Sequence, residues 1–361
     1  MLELTSLQIL IISFIYVPWG LTVSWWYVSL VYFLFIHKED QFATEDFSIK
    51  ILTTGDDVDV ISKTARFCKK DPLIISRKPI ELSRGQVKVM PEDFQCAAQF
   101  KAQQLEWARM AYPSEFTLYL DEDSLCDVER IPDADIVQFQ EVPTTDSFLI
   151  GAIEAYRIGF QLEQSLFEKF PPLFLWGGGV AIKQKLEDEV TWDRSGITED
   201  TAFIFSIRRP YTFKYSKHQI QAEAPLTVKD LIKQRWRWAS GTYQDIRYLR
   251  FGLRKVFVYF RIVQWSLWPL YVYVIPIFLS LPIWFPILIT FQSMIWSFAG
   301  TRVMKLSWQR TAIAVLITPI ASFIHSIGAT LALVKPQKKF LRTPKQNPET
   351  PSNSAVASRH P

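Results

Sequence analysis

Two long apolar stretches enclose a polar middle region and set the main limit on how this chain can fold. Residues 7–36 contain no charged side chain, and residues 256–334 contain only four. About 20 apolar residues suffice to cross a bilayer as a helix. The first stretch therefore predicts a membrane segment at residues 1–40, which is either one helix kinked at Pro18 or a tight helical hairpin.

The second stretch predicts transmembrane helices over residues 256–334. Its prolines divide residues 256–298 into two candidate spans, and residues 311–334 form a third. By the positive-inside rule, the basic residues after position 334 favour the cytoplasmic side. If the middle region also faces the cytoplasm, an even number of crossings must follow it, so we expect one of the three segments to be interfacial or re-entrant. Residues 335–361 read as a basic, Pro/Ser/Asn-rich, disordered tail.

Strand-like and helix-like patterns alternate through the middle region, residues 41–226. This alternation predicts an open α/β sheet. The predicted strands cover residues 49–54, 73–76, 87–90, 116–120, 136–139 and 180–182, and helical patterns end at Cys68 and cover residues 96–110. Ligands of such sheets bind outside the carboxyl ends of the strands. Since Asp56 and Asp121 both follow strands, we expect them to line one crevice.

Composition excludes several kinds of site. The three cysteines are far apart in sequence, without the spacing of a zinc site or a disulfide framework, and they fit a reducing compartment. The four histidines are scattered, which disfavours a histidine-based triad. The net charge is only +4, and the basic residues of the C-terminal half adjoin apolar runs. This arrangement favours a lipid bilayer as partner, and no nucleic acid.

A cluster of acids follows the predicted strand at residues 116–120. Asp121, Glu122 and Asp123 place like charges at one strand end, which is unfavourable unless a cation lies there. Carboxylate oxygens suit Mg²⁺ or Mn²⁺, and such an ion is often shared with a substrate diphosphate. The alternative is a polar turn after an edge strand, because short acidic runs are common in loops.

A second acidic motif, Thr198-Glu199-Asp200, precedes a helical pattern. In one interpretation Thr198 caps the helix and the two acids complement its dipole. In the other, Asp200 lies at a helix start over a cleft and acts as a general base for a sugar hydroxyl.

A third motif, Gln234-Arg235-Trp236-Arg237-Trp238, lies in a helical pattern that begins at Thr227 as N-cap with Asp230 at the box position. Arginine donates bidentate bonds to phosphate, and tryptophan faces stack on sugar rings. The alternative is an interfacial helix that uses these residues as membrane anchors. Residues 227–255 are therefore predicted to be amphipathic and to lie at the membrane interface.

The three motifs in this order resemble the membrane-bound family 2 glycosyltransferases, the cellulose-, chitin- and hyaluronan-synthase-like enzymes. A narrower resemblance is to the Egghead-type β-1,4-mannosyltransferases, which build glycolipid glycans from GDP-mannose. It rests on Thr53-Thr54-Gly55-Asp56, Met90-Pro91-Glu92-Asp93-Phe94, Phe100-Lys101-Ala102, Leu120-Asp121-Glu122-Asp123, Pro172-Leu173-Phe174-Leu175-Trp176 and Ala224-Pro225-Leu226-Thr227-Val228. The match weakens over residues 124–170. It also departs at Arg77, where the wider family has an acidic residue that helps bind the donor base or ribose.

The resemblance implies a GT-A-type nucleotide-sugar-binding domain with a Rossmann-like open sheet and with transmembrane and interfacial helices at both ends. It also implies a role for each motif. The donor nucleotide and diphosphate would contact Asp56, Lys101, Asp121, Gln234, Arg237 and Trp238. The divalent ion would bind Asp121 and Asp123; the acceptor sugar would lie on Trp176, Gly177 and Gly178; and Glu199 and Asp200 would form the catalytic end, with Asp200 as base.

The predicted function is an inverting, metal-dependent glycosyltransferase. It would move mannose from GDP-mannose, or glucose from UDP-glucose, in β-linkage onto a membrane glycolipid or lipid-linked glycan. One base and no candidate covalent nucleophile imply inversion. The predicted location is a multi-pass membrane protein with its catalytic domain in the cytoplasm. The alternatives are a processive polysaccharide synthase, which needs about six or more spans, and a non-enzymatic scaffold with a degenerate transferase domain.

Overall fold

The computed structural model describes residues 6–37, 43–170, 172–268, 270–278, 280 and 283–337. In this part of the chain the strands are β1 (Ala43–Thr44), β2 (Ser48–Thr53), β3 (Leu73–Ser76), β4 (Gln86–Val89), β5 (Phe116–Asp121), β6 (Ile131–Pro132), β7 (Ile136–Thr144), β8 (Val180–Lys183) and β9 (Phe213–Glu223). The helices of the first half are α1 (Ser6–Val31), α2 (Val58–Phe67), α3 (Lys101–Ala111) and α4 (Phe148–Gln161). Those of the second half are α5 (Gln184–Val190), α6 (Glu199–Ser206), α7 (Val228–Asp245), α8 (Leu253–Ser266), α9 (Ile275–Phe278), α10 (Trp284–Val303), α11 (Trp308–Leu316) and α12 (Thr318–Val334).

Seven strands form one mixed sheet in the order β4-β3-β2-β5-β8-β7-β9. The pairs β4–β3, β3–β2, β2–β5 and β7–β9 are parallel, whereas β8 is antiparallel to both of its neighbours. Because β8 alone runs the other way, the carboxyl ends of β2, β3 and β5 open on the same edge. The short strands β1 and β6 pair separately, antiparallel to each other.

The side chains of β5 alternate between two cores, as the period of two in a strand requires. Leu118 and Leu120 lie in a core with Ile61 of α2, whereas Tyr119 lies in a core with Leu105 of α3. Both faces of the sheet are therefore covered, and the open α/β sheet predicted from the alternating pattern is present.

Several element boundaries differ from the prediction. The strand predicted over residues 136–139 continues to Thr144. The helix predicted over residues 96–110 begins only at Lys101, because Phe100 has a φ of 55°, outside the helical region. The helix from Thr227 ends at Asp245 rather than at Arg250, and a short 3₁₀ turn follows it. The predicted cap is confirmed, since the Thr227 hydroxyl accepts a bond from the Asp230 amide. Strand β9 and helix α4 have no predicted counterpart.

Close backbone contacts fix the C-terminal helices to the α/β domain. A Cβ atom on Gly159 of α4 would lie 1.7 Å from the carbonyl oxygen of Trp296 in α10. A Cβ atom on Gly328 of α12 would lie 2.4 Å from the carbonyl oxygen of Ile232 in α7. Only glycine permits these approaches, so both crossings depend on the absence of a side chain.

The apolar N-terminal stretch is one helix rather than a hairpin, since α1 continues through Pro18. Within the described ranges, residues Tyr16–Ile36 form the single helix that is long and apolar enough to cross a membrane by itself. Helices α11 and α12 pass that test only as a pair, and they are bent by 66°. The transmembrane helices predicted at the C-terminal end are therefore not confirmed. The charged residues 38–40 and the tail from residue 338 onward, which was predicted to be disordered, lie outside the described residues.

Candidate active site

A cavity of about 520 Å³ opens at the carboxyl ends of β2 and β5. It brings together nearly all of the residues that were predicted to form a site. Its lining includes Lys101, Asp121, Asp123, Trp176, Gly177, Gly178, Glu199, Asp200, Gln234, Arg237 and Trp238. These residues come from five separate parts of the chain, so the fold places all three sequence motifs around one space.

Asp56 is the exception among the predicted residues. It is not part of the cavity lining; its carboxylate pairs with Lys78 and accepts a bond from the Thr54 hydroxyl at 2.7 Å. Its predicted contact with the nucleoside stays a prediction.

Lys101 links two of the acidic motifs. It is the first residue of α3, and its Nζ lies 2.6 Å from Asp121 Oδ1 and 3.1 Å from Glu199 Oε1. Burial by itself lowers the pKa of Lys101, but the nearby carboxylates of Asp121, Glu199 and Asp200 outweigh burial and raise the pKa. The side chain therefore stays protonated, and a fixed positive charge lies between the strand-end acids and the acids of α6.

Asp200 lies in the first turn of α6 and is held by backbone groups. Its Oδ1 accepts a bond from the Thr201 amide at 2.7 Å. Burial, and then the neighbouring charge of Glu199, raise the pKa of Asp200 to about 7, against the opposing effect of Lys101. A Cβ atom on Gly177 would lie 3.4 Å from Asp200 Oδ2, so the backbone at that glycine forms a close wall beside the carboxylate. A carboxylate with a pKa near neutrality matches the requirement for a general base.

The position of α6 depends on a contact that the sequence did not reveal. Thr198 occupies the N-cap position but makes no capping bond. Its hydroxyl instead donates to Oδ2 of Asp245, the last residue of α7, at 2.6 Å. The prediction that the Thr198 side chain caps α6 is therefore wrong. Burial raises the pKa of Asp245 to about 7, and the bond ties the acids of α6 to the helix that carries the third motif.

The acids at the end of β5 have different environments. Glu122 accepts a bond from the Thr53 hydroxyl at 2.5 Å, and its backbone carbonyl accepts one from Thr64. Asp123 is 6% exposed and lines the cavity together with Asp121. Across the described ranges, no three His, Cys, Asp or Glu side chains lie close enough to hold a metal ion alone. Two carboxylates nevertheless fit Mg²⁺ or Mn²⁺, because these ions commonly take one or two carboxylates and complete their shell with substrate phosphates and water.

Helix α7 presents the third motif to the cavity. Gln234, Arg237 and Trp238 all line it, and burial lowers the pKa of Arg237 while Glu199, Asp121 and Asp200 oppose that effect. Arg237 therefore adds a second positive charge beside Lys101. The cavity lining as a whole contains eight carboxyl side chains and five arginine or lysine side chains.

Arg77 stands at the carboxyl end of β3, where the resemblance led us to expect an acid. It lines the cavity, and its guanidinium donates to the Phe100 carbonyl oxygen at 2.6 Å and to Gln103 Oε1 at 3.2 Å. A group that lies over this edge of the cavity meets hydrogen-bond donors rather than a carboxylate.

The other end of the cavity is aromatic and was missed by the sequence reasoning. Helices α4, α8, α10 and α12 enclose it, and its lining includes Tyr156, Phe160, Trp265, Trp268, Trp296 and His325. The ring centroids of Phe160 and Trp296 are 4.9 Å apart. Tryptophans in an apolar stretch read as ordinary membrane-helix residues, so only the crossing of the helices shows that they border the same space as Asp200.

A family model described as "Glycosyl transferase family group 2" matches residues 117–327. The β-1,4-mannosyltransferase bre-3 of Caenorhabditis briggsae is 25% identical over an alignment of 205 positions that covers 48% of this chain and 44% of that protein. The β-1,4-mannosyltransferase egh of Drosophila melanogaster is 23% identical over an alignment of 237 positions that covers 54% of this chain and 51% of that protein. The chain thus spans about half the length of the curated relatives it matches.

Among solved structures, the mannosyltransferase PcManGT from Pyrobaculum calidifontis, in complex with GDP-Man and Mn²⁺, is similar with a TM-score of 0.53 and 12% identity. The likeness covers 91% of this chain and 98% of that chain. At this identity it bears on the fold alone. The predicted α/β, GT-A-like fold is confirmed.

Proposed function

Since this chain belongs to the glycosyl transferase family group 2, as its motifs predicted, we propose that it transfers a hexose from a nucleotide sugar, with inversion, to an acceptor anchored in a membrane. The observation that carries the proposal is the single cavity that holds Asp121, Asp123 and Asp200 together. A donor diphosphate at the strand-end acids and an acceptor hydroxyl at Asp200 would then meet within one site.

The reaction requires charge stabilisation at the leaving diphosphate and a base at the attacking hydroxyl. Lys101 and Arg237 supply fixed positive charges at the donor end. Asp200 would accept the proton of the acceptor hydroxyl as that oxygen attacks the donor carbon from the face opposite the diphosphate. A single displacement of this kind converts an α-linked donor into a β-linked product.

Asp121 and Asp123 would hold Mg²⁺ or Mn²⁺ through their carboxylates. The ion would supply Lewis-acid stabilisation of the diphosphate. The gathering of Asp121, Glu122 and Asp123 at one edge of the cavity supports this assignment, because like charges placed together are unfavourable without a balancing cation.

The aromatic end supports an acceptor that carries sugar and lipid. Tryptophan and phenylalanine faces stack on sugar rings and on alkyl chains. The helices around this end expose apolar side chains outward, among them Ile287, Leu288 and Phe291 of α10, and α1 is a candidate membrane span. The acceptor is therefore proposed to be a membrane glycolipid or lipid-linked glycan that enters from the bilayer, and the protein to be multi-pass with its catalytic domain in the cytoplasm.

The proposed donor is GDP-mannose, with UDP-glucose as the second candidate. The relatives named β-1,4-mannosyltransferase favour mannose. Arg77 lines the cavity at the carboxyl end of β3 and favours a base edge that accepts hydrogen bonds there, and both guanine and uracil offer such an edge.

The test is transfer of radiolabelled hexose to extracted membrane lipids by the full-length protein in detergent, with GDP-mannose, UDP-glucose and UDP-N-acetylglucosamine compared. We expect incorporation from one donor, dependent on Mn²⁺ or Mg²⁺ and abolished by a chelator. No incorporation from any donor into any lipid fraction would contradict the proposal. A single added sugar excludes the processive synthase, whereas a ladder of products would favour it.

A further inference from the structure

Arg235 is the second residue of the third motif and lies behind the motif side chains that line the cavity. Its side chain is fully buried, at 0% exposure, which is exceptional for arginine. The guanidinium donates to Gln234 Oε1 at 2.6 Å and to His325 Nδ1 at 3.3 Å, and it pairs with Glu154 of α4. Its central carbon also lies 4.2 Å from the ring centroid of Trp238. One buried cation therefore touches two motif side chains that line the cavity.

The charge of Arg235 is balanced by a network on α4 and β7. Glu154 accepts a further bond from Arg157 at 2.5 Å, and Arg157 reaches Glu141 of β7 at 3.3 Å. Two arginines thus face two glutamates; both arginines and Glu154 are buried, and the Glu141 side chain is 21% exposed. An ion network of this kind has little net benefit for stability compared with apolar packing, so its presence next to the motif calls for another reason.

The neighbouring residue Trp236 provides a contrast within the same motif. Both positions lie between Gln234 and Arg237, yet Trp236 is only partly buried, and its indole donates to the Lys335 carbonyl oxygen at 2.8 Å. Helical geometry alone puts one of the two positions inside. The inward position is occupied by the charged Arg235. An apolar side chain at that position would need no buried partner to balance a charge.

We infer that Arg235 is a positioning residue for the proposed transfer and acts through Gln234 and Trp238, with Glu154 balancing its charge. The bond to Oε1 fixes the Gln234 amide, so that its NH₂ group is oriented away from Arg235. The guanidinium plane supports the Trp238 ring from behind and sets its tilt. The side chains of Gln234 and Trp238 are thereby held in place before substrate binds. Groups that are already positioned increase the rate because less ordering is needed to reach the transition state. This inference rests on the proposed function for its kinetic consequences but not for its geometry.

The informative variant is Arg235→Lys in the full-length protein. Lysine keeps the positive charge opposite Glu154, so the fold is retained, but a single ammonium cannot also hold Gln234 and the Trp238 ring. We expect kcat/KM for transfer to fall by up to about 10²-fold. In the background of Gln234→Ala and Trp238→Ala the same substitution should have almost no further effect, because both side chains through which Arg235 is proposed to act are then gone. The matched control is Arg109→Lys, which changes another arginine paired with a glutamate, at 2.5 Å from Glu106 and outside the cavity.

A second readout does not depend on turnover. In protein labelled with 5-fluorotryptophan, the ¹⁹F resonance of Trp238 is assigned by its loss in Trp238→Phe. It should shift or broaden in Arg235→Lys and stay unchanged in Arg109→Lys. If the resonance shifts in Arg235→Lys while the wild-type protein transfers sugar from no donor, the contact between Arg235 and Trp238 is supported and the proposed function is contradicted. An unmoved resonance, or equal losses of kcat/KM with and without Gln234 and Trp238, would overturn the inference.

Discussion

The pH dependence of transfer gives a sharp test of the role of Asp200. The pKa of this carboxyl is raised to about 7, first by burial and then by the charge of Glu199. A base must be ionised to accept a proton, so activity should rise as pH increases through that value. About a tenth of the Asp200 carboxyls are ionised at pH 6 and about nine tenths at pH 8, which predicts a rise in kcat/KM of about tenfold across this interval.

Glu199→Gln removes the neighbouring negative charge without changing the size of the side chain. Because that charge raises the pKa of Asp200, its loss should move the acidic limb of the profile to lower pH, by about one unit for a charge this close. At pH 6 the variant would then reach about half of its own plateau rather than about a tenth. The plateau itself is also expected to fall, since Glu199 holds Lys101, so the position of the limb is the quantity to compare.

The assay measures initial rates of lipid glycosylation from pH 5.5 to 8.5 at constant ionic strength, with saturating metal. Glu129→Gln serves as the control, because it removes the same charge from a side chain that is 71% exposed and should leave the limb in place. A limb that does not move in Glu199→Gln, or a flat wild-type profile between pH 6 and 8, would refute Asp200 as the base with this environment.

Two further predictions concern contacts that the sequence concealed. Gly159→Ala places a Cβ atom 1.7 Å from the Trp296 carbonyl oxygen and should lower the free energy of unfolding by about 1–3 kcal/mol or more in denaturant titrations. Gly151→Ala, on the same helix with its nearest neighbour at 3.6 Å, should be neutral or slightly stabilising, and equal losses in both variants would contradict the packing argument. Thr198→Val removes the hydrogen bond to Asp245 and should reduce kcat with little change in donor affinity. Thr198→Ser keeps a hydroxyl that can donate to Asp245, so its kcat should stay near that of the wild type. Equal kcat values for the two variants would contradict the link between α6 and α7.

The parts of the fold that the sequence predicted are those set by local patterns. Strand β5 reads as a run of strand formers that ends in acids, and Thr227 with Asp230 is a recognisable helix start. The identity and order of the three motifs are also local, which is why the family could be named in advance and why eleven of the twelve predicted site residues line the cavity. Distances within the site were not predictable, because they depend on long-range packing.

The missed features are those that depend on the partner of a side chain. In the sequence, Thr198 fits the pattern of a helix cap. In the fold its hydroxyl donates a hydrogen bond to Asp245, which lies 47 positions later in the chain. In the sequence, Arg235 fits the pattern of a membrane anchor. In the fold it pairs with Glu154, which lies 81 positions earlier in the chain. Helix α4 crosses α10 at Gly159. The hydrophobic pattern of α4 does not show which other helix will pack against it at that residue.

The most direct measurement is donor binding and transfer by Asp200→Asn in parallel. The side chain keeps its size but loses its capacity to accept a proton, so transfer should fall by a factor of about 10²–10⁴. Donor binding with Mn²⁺, measured by calorimetry, should persist, because the strand-end acids, Lys101 and Arg237 are intact. Transfer at the wild-type rate by this variant would contradict the account, since a displacement that proceeds without Asp200 leaves the shared cavity without its proposed base.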